Sequence, residues 1–300
     1  MKVGSETIAR EASFATLLAD IGELTKFRIG FLVLVTTAVA WFWTATGPFD
    51  PAVLLATMFG TALTAAGANT LNQLLERDVD ARMERTRNRP LPTGRWSPLE
   101  ACAFGCGLTL IGVAWLAYAV NTLTALLGLC SVLSYVLIYT PSKRVTPHST
   151  LIGAVPGSLP VVMGVTAATG TIDVRAVVLF LILTLWQLPH FYAIAWLYRD
   201  DYARGGFPML PVIDRDGRKT AAASLAALAA LIPITLAPTL LQLAGWTYFV
   251  AAAVLGTLYA ATVVRFARTR SNEDARFSFF ASIVYLPLVL TLLVFDRLQA

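Results

Sequence analysis

The sequence carries few charged residues for its length. Only 14% of its 300 residues are Asp, Glu, Lys or Arg, whereas 57% are hydrophobic; soluble globular proteins carry about 25% charged residues. A soluble fold would lack the polar side chains to cover its surface. The net charge of +5 does not indicate nucleic acid binding, because the basic residues are confined to short segments between apolar runs. Composition therefore indicates a polytopic membrane protein.

Cysteine and histidine are scarce as well. The three cysteines, Cys102, Cys106 and Cys130, lie inside apolar runs, and their odd number offers no disulfide framework. Cys102 and Cys106 could share a helix face, but a zinc site needs further ligands that the neighbouring sequence does not supply. We expect the thiols to be small packing residues.

Long apolar runs take the place of charge. A transmembrane helix needs about 20 mostly apolar residues, and nine segments meet this length. We therefore predict an all-α polytopic membrane protein with about nine transmembrane helices in a bundle around a central cavity. The predicted spans are 28–46, 52–74, 99–119, 121–140, 151–169, 174–197, 220–243, 246–265 and 277–295.

The basic residues predict the orientation of these spans. With the N-terminus in the cytoplasm, every Lys and Arg except Arg175 and Arg297 lies on the cytoplasmic side, as the positive-inside rule requires. We predict a cytoplasmic segment over 1–27 and a single domain over 28–300 in the inner (plasma) membrane. The cavity should open to the cytoplasm, where the longer loops lie: 75–97, 141–149 and 198–219.

The end of the second span carries an acidic stripe. Asn72, Glu76 and Asp80 follow an i, i+4, i+8 spacing and share one face of a helix, whereas Asp78 lies about 200° around the axis from Glu76. Two carboxylates and an amide oxygen suit Mg²⁺. The alternative is a solvated helix end whose carboxylates balance nearby arginines. Asn72 lies deeper among apolar residues, where a polar side chain is costly, and this favours a functional site.

Two basic loops follow in the sequence. Residues 82–95 contain five arginines, and Lys143 and Arg144 are the charged residues of the loop at 141–149. Such residues can bind anionic phosphate, or they can only hold the loop inside the cell. Next to a stripe that suits a metal, phosphate binding becomes more attractive.

A second acidic cluster ends the sixth span. Asp200 and Asp201 lie four spans after the stripe, and four helices restore the same direction through the membrane. We therefore predict two pseudo-repeated halves, with acidic motifs near 72–80 and 198–206 that supply carboxylates to one cavity. A solvated turn explains Asp200 and Asp201 equally well when they are considered alone.

One of the two histidines, His190, lies inside the sixth span directly after Pro189. A buried histidine is often only a hydrogen-bonded structural residue. However, a histidine at membrane depth can also be functional, and histidine is a common ligand of haem iron. From the sequence position alone, His190 can be either a structural residue or a haem ligand.

These motifs resemble the intramembrane prenyltransferases of the UbiA type. Within that superfamily, the run Arg85 to Gly94 and the Pro189-His190-Phe191 element resemble the family of protohaem IX farnesyltransferases (haem O synthases). Tyr139 to Arg144, and Asp201-Tyr202 through Pro208-Met209-Leu210-Pro211, are similar to further motifs of that family. Ser149 stands where the family usually has Asn.

The resemblance implies that farnesyl diphosphate and protohaem IX are the substrates and that the products are haem O and diphosphate. It implies Mg²⁺ as the cofactor and a location in the lipid bilayer. It also implies a downstream haem-modifying enzyme as a partner, and no nucleic acid partner. The implied metal ligands are Asn72, Glu76 and Asp80, the catalytic stripe, with Asp200 and Asp201. The implied diphosphate ligands are Arg82, Arg87, Arg89, Lys143 and Arg144. His190, with His148 as its competitor, would bind haem.

Two other functions keep part of this pattern. A prenyltransferase for an aromatic quinone precursor would keep the metal site and would not need His190. A transporter would bind its cargo at midplane charges without chemistry, and release of diphosphate from farnesyl diphosphate would exclude it.

Overall fold

The computed structural model describes residues 14–46 and 48–298, and the regular elements in these ranges are helices joined by turns and loops. Nine helical segments in this part of the chain are long and apolar enough to cross a membrane, which confirms the predicted spans. Part of the predicted cytoplasmic segment 1–27 lies outside the described residues, namely residues 1–13. The spans are α2 (Phe27–Thr44), α3 (Pro51–Asp80), α4 (Pro98–Ala119), α5 (Thr122–Leu133) continuing through the π-helical turn Ser134–Tyr139 into α6 (Thr140–Ser142), α7 (Ser149–Thr169), α8 (Val174–Leu197), α11 (Arg218–Leu240), α12 (Trp246–Thr269) and α13 (Asn272–Phe295).

Three short helices lie outside these spans. The first, α1 (Phe14–Leu24), precedes α2, and the other two, α9 (Arg199–Gly205) and α10 (Leu210–Ile213), connect α8 to α11. All three lie at the end of the bundle where the basic loops cluster.

The length of α3 places the acidic stripe at the edge of the membrane. Its 30 residues span about 45 Å at 1.5 Å per residue, which exceeds a hydrocarbon core of about 30 Å. Small residues let α3 pack closely on α4: a Cβ on Gly105 would lie 2.8 Å from Leu71 Cγ, and one on Gly67 would lie 2.7 Å from the Gly105 carbonyl. This close approach is typical of helix pairs in membranes.

The largest buried core lies between α7, α8 and the last three spans. It contains Val165, Ile182, Leu231, Val263 and Val289, each fully enclosed. Large apolar side chains on the outer faces of the spans are exposed in the described chain, as the lipid-facing surface of a membrane bundle requires.

The ends of α3 and α8 meet at one face of the bundle. Val79 and Met83, at the end of α3, pack with Ala195 of α8 and with Phe207 and Met209 of the loop after α9. The loops that follow the second and sixth spans therefore lie side by side, at the same face, as the predicted topology requires.

Candidate active site

The predicted stripe forms one buried face of α3. Asn72, Glu76 and Asp80 are 0%, 4% and 1% exposed. Asp78 points the other way, with a side chain that is 76% exposed and 3.3 Å from the Arg77 guanidinium. The helical geometry thus separates Asp78 from the stripe.

Each polar group of the stripe is matched by one cation. Lys26 Nζ donates to Asn72 Oδ1 at 2.9 Å, Lys143 Nζ lies 2.9 Å from Glu76 Oε1, and Arg89 Nη1 donates to Asp80 Oδ2 at 2.7 Å. Burying a carboxylate is costly unless a positive charge compensates it. The three basic side chains therefore compensate the polar groups of the stripe in a buried site.

Lys26 reaches the stripe because α3 holds the turn between α1 and α2. Asn69 Nδ2 donates to the Thr25 carbonyl at 3.1 Å, and Gln73 Nε2 donates to the carbonyls of Glu23 and Leu24 at 2.8 and 3.0 Å. Lys26 itself adopts a left-handed conformation with φ 51°, which directs the chain from α1 into α2. Sequence reasoning missed Lys26, since a single lysine before an apolar run normally indicates only topology.

The surroundings shift the pKa of both lysines in opposite directions. Burial, with the positive charges of Arg89 and Lys143, lowers the pKa of Lys26 to about 7. Burial alone would also lower the pKa of Lys143, but the adjacent Glu76 carboxylate outweighs it and raises the pKa above the ordinary lysine value. Lys143 is therefore a permanent cation of the site.

The π-helical turn at the end of the fourth span delivers the third element of the site. Thr140 Oγ1 donates to the Tyr135 carbonyl at 2.8 Å and accepts from Asn72 Nδ2 at 3.0 Å. The Lys143 ammonium lies 4.6 Å from the centroid of the Tyr139 ring. A π-helical turn often occurs at a functional site, and here Pro141, which lacks a backbone N–H, lies directly after it.

These groups line one end of a cavity of about 620 Å³. Its polar end holds the two carboxylates Glu76 and Asp80 and the cations Lys26, Arg89 and Lys143. Glu23, Arg28 and Arg85 add further charge to the lining. Its apolar side chains are Phe27, Ile29, Met83, Phe207 and Met209. The arrangement suits a ligand that has a strongly anionic head and an apolar tail.

The carboxylates of the stripe fit a divalent cation. Asp80 Oδ1 is buried and has no hydrogen-bond partner among the described residues, so one oxygen of this carboxylate is available. Within the described ranges no group of three or more His, Cys, Asp or Glu side chains could hold a metal. Such a site suits Mg²⁺, which takes one or two carboxylates and completes its shell with water and substrate phosphate.

The structure does not bring the second acidic cluster to this end of the cavity. Asp200 is exposed, and neither it nor Asp201 lines the cavity. Asp201 is buried and accepts hydrogen bonds from the backbone N–H groups of Glu84 and Arg85 at 2.8 and 3.3 Å and from Arg204 Nη2 at 2.7 Å. Its oxygens are engaged by the loop that follows α3.

Some of the predicted diphosphate-binding residues line the cavity, and the others lie outside it. Arg89 and Lys143 line the cavity, and so does Arg85, which the sequence did not single out. Arg82 and Arg87 are exposed, and Arg87 pairs with Glu84 at 2.6 Å. The exposed Arg144 donates to the Leu75 carbonyl at 2.6 Å, where it holds its loop against α3.

His190 lies between α8 and α13, away from the polar end of the cavity. Its Nδ1 lies 2.7 Å from Ser282 Oγ, and its ring stacks on Trp186 with centroids 4.9 Å apart. His148 is exposed in the loop before α7, next to the buried Ser149.

Known proteins share both the sequence and the fold. Residues 33–284 match the UbiA prenyltransferase family. The chain is 44% identical over 289 residues to a protein from Solibacter usitatus (strain Ellin6076) named protoheme IX farnesyltransferase, with 93% of this chain and 99% of that protein aligned. A structure reported for digeranylgeranylglyceryl phosphate synthase superposes with a TM-score of 0.78 at 18% identity, covering 93% of this chain and 98% of that one. A UbiA homolog from Archaeoglobus fulgidus bound to GPP and Mg²⁺ gives 0.65 at 16% identity, covering 91% and 99%.

Proposed function

The chain belongs to the UbiA prenyltransferase family, and we propose that it transfers the farnesyl group of farnesyl diphosphate to a vinyl group of protohaem IX. The products are haem O and diphosphate. The observation that carries this proposal is one cavity lined by two buried carboxylates, by the cations that contact the stripe and by apolar side chains. Its relative from Solibacter usitatus bears the name of this activity.

The reaction begins when the bond between the farnesyl C1 and the diphosphate oxygen breaks. Mg²⁺ held by Glu76 and Asp80, with Asn72 beside them, would supply charge neutralisation for the departing diphosphate. Arg89, Lys143 and Lys26 can turn from the stripe to the diphosphate oxygens and add positive charge. The vinyl carbon then forms the new carbon–carbon bond with the allylic cation, and water adds to the resulting porphyrin-side cation with loss of a proton.

The apolar walls keep water from the allylic cation. Phe27 and Ile29, together with the packed group of Met83, Phe207 and Met209, line the cavity that holds the diphosphate. These side chains offer no nucleophile stronger than a thioether, so the cation survives until the vinyl group reaches it. The bilayer can accept the remaining length of the farnesyl chain.

His190 is our proposed ligand to the haem iron. Ser282 Oγ donates its proton to the Phe279 carbonyl, so it accepts the hydrogen bond from His190 Nδ1. This tautomer leaves a lone pair on Nε2, which is the form that binds iron. His148, near Lys143, suits a haem propionate instead.

The membrane, the topology and the use of the product are part of the same proposal. The protein is a multi-pass membrane protein, and we propose the inner (plasma) membrane with the N-terminus and the cavity facing the cytoplasm. Haem O released into the membrane would pass to a haem-modifying enzyme or to an oxidase.

Mass analysis of the porphyrin product tests the reaction. The full chain in lipid nanodiscs is incubated with haem, farnesyl diphosphate and Mg²⁺, and a porphyrin that has gained one farnesyl group and one hydroxyl is expected. Omission of Mg²⁺, or addition of a chelator, should stop both this product and diphosphate release. Prenylation of an aromatic quinone precursor in place of haem would contradict the acceptor, and binding without diphosphate release would indicate a transporter.

A further inference from the structure

The second acidic cluster has a geometry that metal binding does not explain. Asp201 lies in the first turn of α9 and is 6% exposed. Its Oδ1 accepts the Glu84 N–H at 2.8 Å and Arg204 Nη2 at 2.7 Å, and its Oδ2 accepts the Arg85 N–H at 3.3 Å. Three donors therefore surround a single buried carboxylate.

The donors belong to the loop that supplies cations to the cavity. Glu84 and Arg85 lie in the turn directly after α3, and Arg89 follows four residues later. The Arg85 guanidinium lies 5.4 Å from the Tyr198 ring centroid and 6.0 Å from that of Tyr202, both close to Asp201 in the chain. Two independent contacts, a buried carboxylate and an aromatic pair, thus hold the same loop from the α8–α9 side.

We infer that Asp201 is a positioning residue that fixes the 83–89 loop over the cavity, and that it does not bind metal. Three of the about four lone-pair sites of the Asp201 carboxylate are engaged by donors. A metal ion that replaced the Glu84 and Arg85 N–H groups would remove the hydrogen bonds that hold the loop. The hydrogen bonds from Arg204 and from the two amides outweigh the effect of burial and lower the pKa of Asp201, so the carboxylate stays charged in its role.

Loop positioning has a specific consequence for substrate binding. Arg85 and Arg89 line the cavity, and Arg89 reaches the stripe through Asp80. Releasing the loop removes both arginines from the diphosphate end and leaves Glu76 and Asp80 in place. The expected effect on farnesyl diphosphate binding rests on the proposed function. The number of bound metal ions and the protection of the loop amides from hydrogen exchange do not depend on it.

The experiment compares Asp201→Asn with wild type and with two further variants. Asp80→Asn shows the effect of removing a proposed metal ligand. Asp216→Asn is the matched control, because Asp216 is an exposed carboxylate in the same connection between α8 and α11. For the full chain in nanodiscs, the number of bound Mn²⁺ ions is measured by electron paramagnetic resonance with inorganic diphosphate present. Amide hydrogen exchange of residues 83–90 and the KM and kcat for each substrate are measured on the same samples.

Asp201→Asn should bind as many Mn²⁺ ions as wild type, while the amides of 84 and 85 exchange at least about tenfold faster. Its KM for farnesyl diphosphate should rise about tenfold, the loss expected from one or two charge-assisted contacts, with little change in the KM for haem. The double variant Asp200→Asn, Asp201→Asn should retain the same Mn²⁺ count, and Asp216→Asn should match wild type throughout.

Loss of one Mn²⁺ ion in Asp201→Asn, or unchanged exchange of 84 and 85, would overturn the inference. If Asp201→Asn is not recovered folded, Arg204→Gln removes one of the three donors and should give a smaller KM effect in the same direction with the Mn²⁺ count intact. Retention of every Mn²⁺ ion by Asp80→Asn would instead contradict the metal site of the proposed function, and the exchange data would still decide the role of Asp201.

Discussion

At the scale of single residues, the site is organised by matched charges. Three cations from three different segments each contact one member of the α3 stripe. Two carboxylates on one helix face repel each other, and the paired cations reduce that repulsion. In the proposed function a divalent ion would bind the carboxylates and release these cations to the phosphate groups of the substrate.

Removing a stripe carboxylate should abolish turnover. Glu76→Gln and Asp80→Asn keep the side-chain shape and remove the charge that holds Mg²⁺, so we expect at least about a hundredfold loss of kcat/KM, or about 2.7 kcal/mol of transition-state stabilisation. Haem binding, measured by its visible spectrum, should persist. The matched control is Asp78→Asn, whose side chain is exposed on the opposite face of α3. An essential Asp78 with a dispensable Glu76 would refute the helical-stripe interpretation.

The two neighbouring cations of the second loop should differ in their effect. Lys143 lies in the cavity beside Glu76, whereas Arg144 donates to the Leu75 carbonyl at its rim. Lys143→Met should weaken farnesyl diphosphate binding about ten- to a hundredfold, from the loss of one charge-assisted contact of about 1.5–3 kcal/mol. Arg144→Gln should cost less. Calorimetry with an uncleavable diphosphate analogue measures the affinity of both variants. If either change weakened haem binding as much as diphosphate binding, the loop would have collapsed.

His190 tests the acceptor side of the reaction. If its Nε2 binds iron, His190→Ala should shift the visible spectrum of the haem complex and slow farnesyl transfer, with farnesyl diphosphate binding preserved. His148→Ala should leave the iron spectrum nearly unchanged. An unaltered spectrum in His190→Ala would make this residue a structural histidine that bonds α8 to Ser282 of α13.

At the scale of elements, the sequence predicts what repeats along a helix and misses what depends on the approach of another segment. The stripe on α3 was predictable because its members are separated by whole helical turns. Lys26 was not, because its position depends on Asn69 and Gln73, which bond the carbonyls of a distant turn. The hydrogen bonds of Asp201 could not be predicted for the same reason, since two of its partners are backbone amides of a loop more than 100 residues earlier.

Helix α1 should control substrate binding through its docking. The buried Asp20 carboxylate pairs with Arg95, whose Nη2 lies 2.9 Å from Oδ1, and Leu24 packs against Leu91 and Ala101. Asp20→Asn should weaken this docking by about 1–3 kcal/mol, so that Lys26 is no longer held at Asn72. We expect faster hydrogen exchange over 18–26 and a several-fold higher KM for farnesyl diphosphate, with Mn²⁺ binding unchanged.

The control for α1 is Asp78→Asn, an exposed carboxylate at the same face of the bundle. It should leave the exchange of 18–26 as in wild type. A higher KM in Asp20→Asn without faster exchange of α1 would show that docking is not the cause.

At the scale of the whole molecule, the described chain has the nine spans and the shared loop face that hydropathy and charge predict. The division into two pseudo-repeated halves stays a prediction. The halves are used unequally: the stripe after the second span lines the cavity, whereas the cluster after the sixth holds a loop. From the sequence, both clusters were expected to supply carboxylates to one cavity, with a solvated turn left open for Asp200 and Asp201. The spacing of acidic motifs contains no information about which oxygens the neighbouring loops engage.

The two basic residues on the opposite side have a structural reason to be there. Arg175 Nη1 donates to the Thr44 carbonyl at 3.2 Å, and Arg297 contacts the carbonyls of Phe42 and Ala45. Both arginines therefore satisfy the free carbonyls at the C-terminal end of α2, where a cation is also favoured by the helix dipole. They do not count against the predicted orientation, because their position is fixed by this helix end.

The topology can be tested with two single cysteines in a chain whose three native cysteines are replaced. Val145 lies in the loop of Lys143 and is 79% exposed, and Leu298 lies beyond the last span and is 51% exposed. The nine spans put these positions on opposite sides of the membrane, and the proposed orientation puts Val145 in the cytoplasm. In intact cells, a membrane-impermeant maleimide should therefore label Leu298→Cys and should label Val145→Cys only after permeabilisation. The reverse pattern would place the cavity and the proposed metal site on the outer face. Labelling of both positions from one side would rule out the five spans between them.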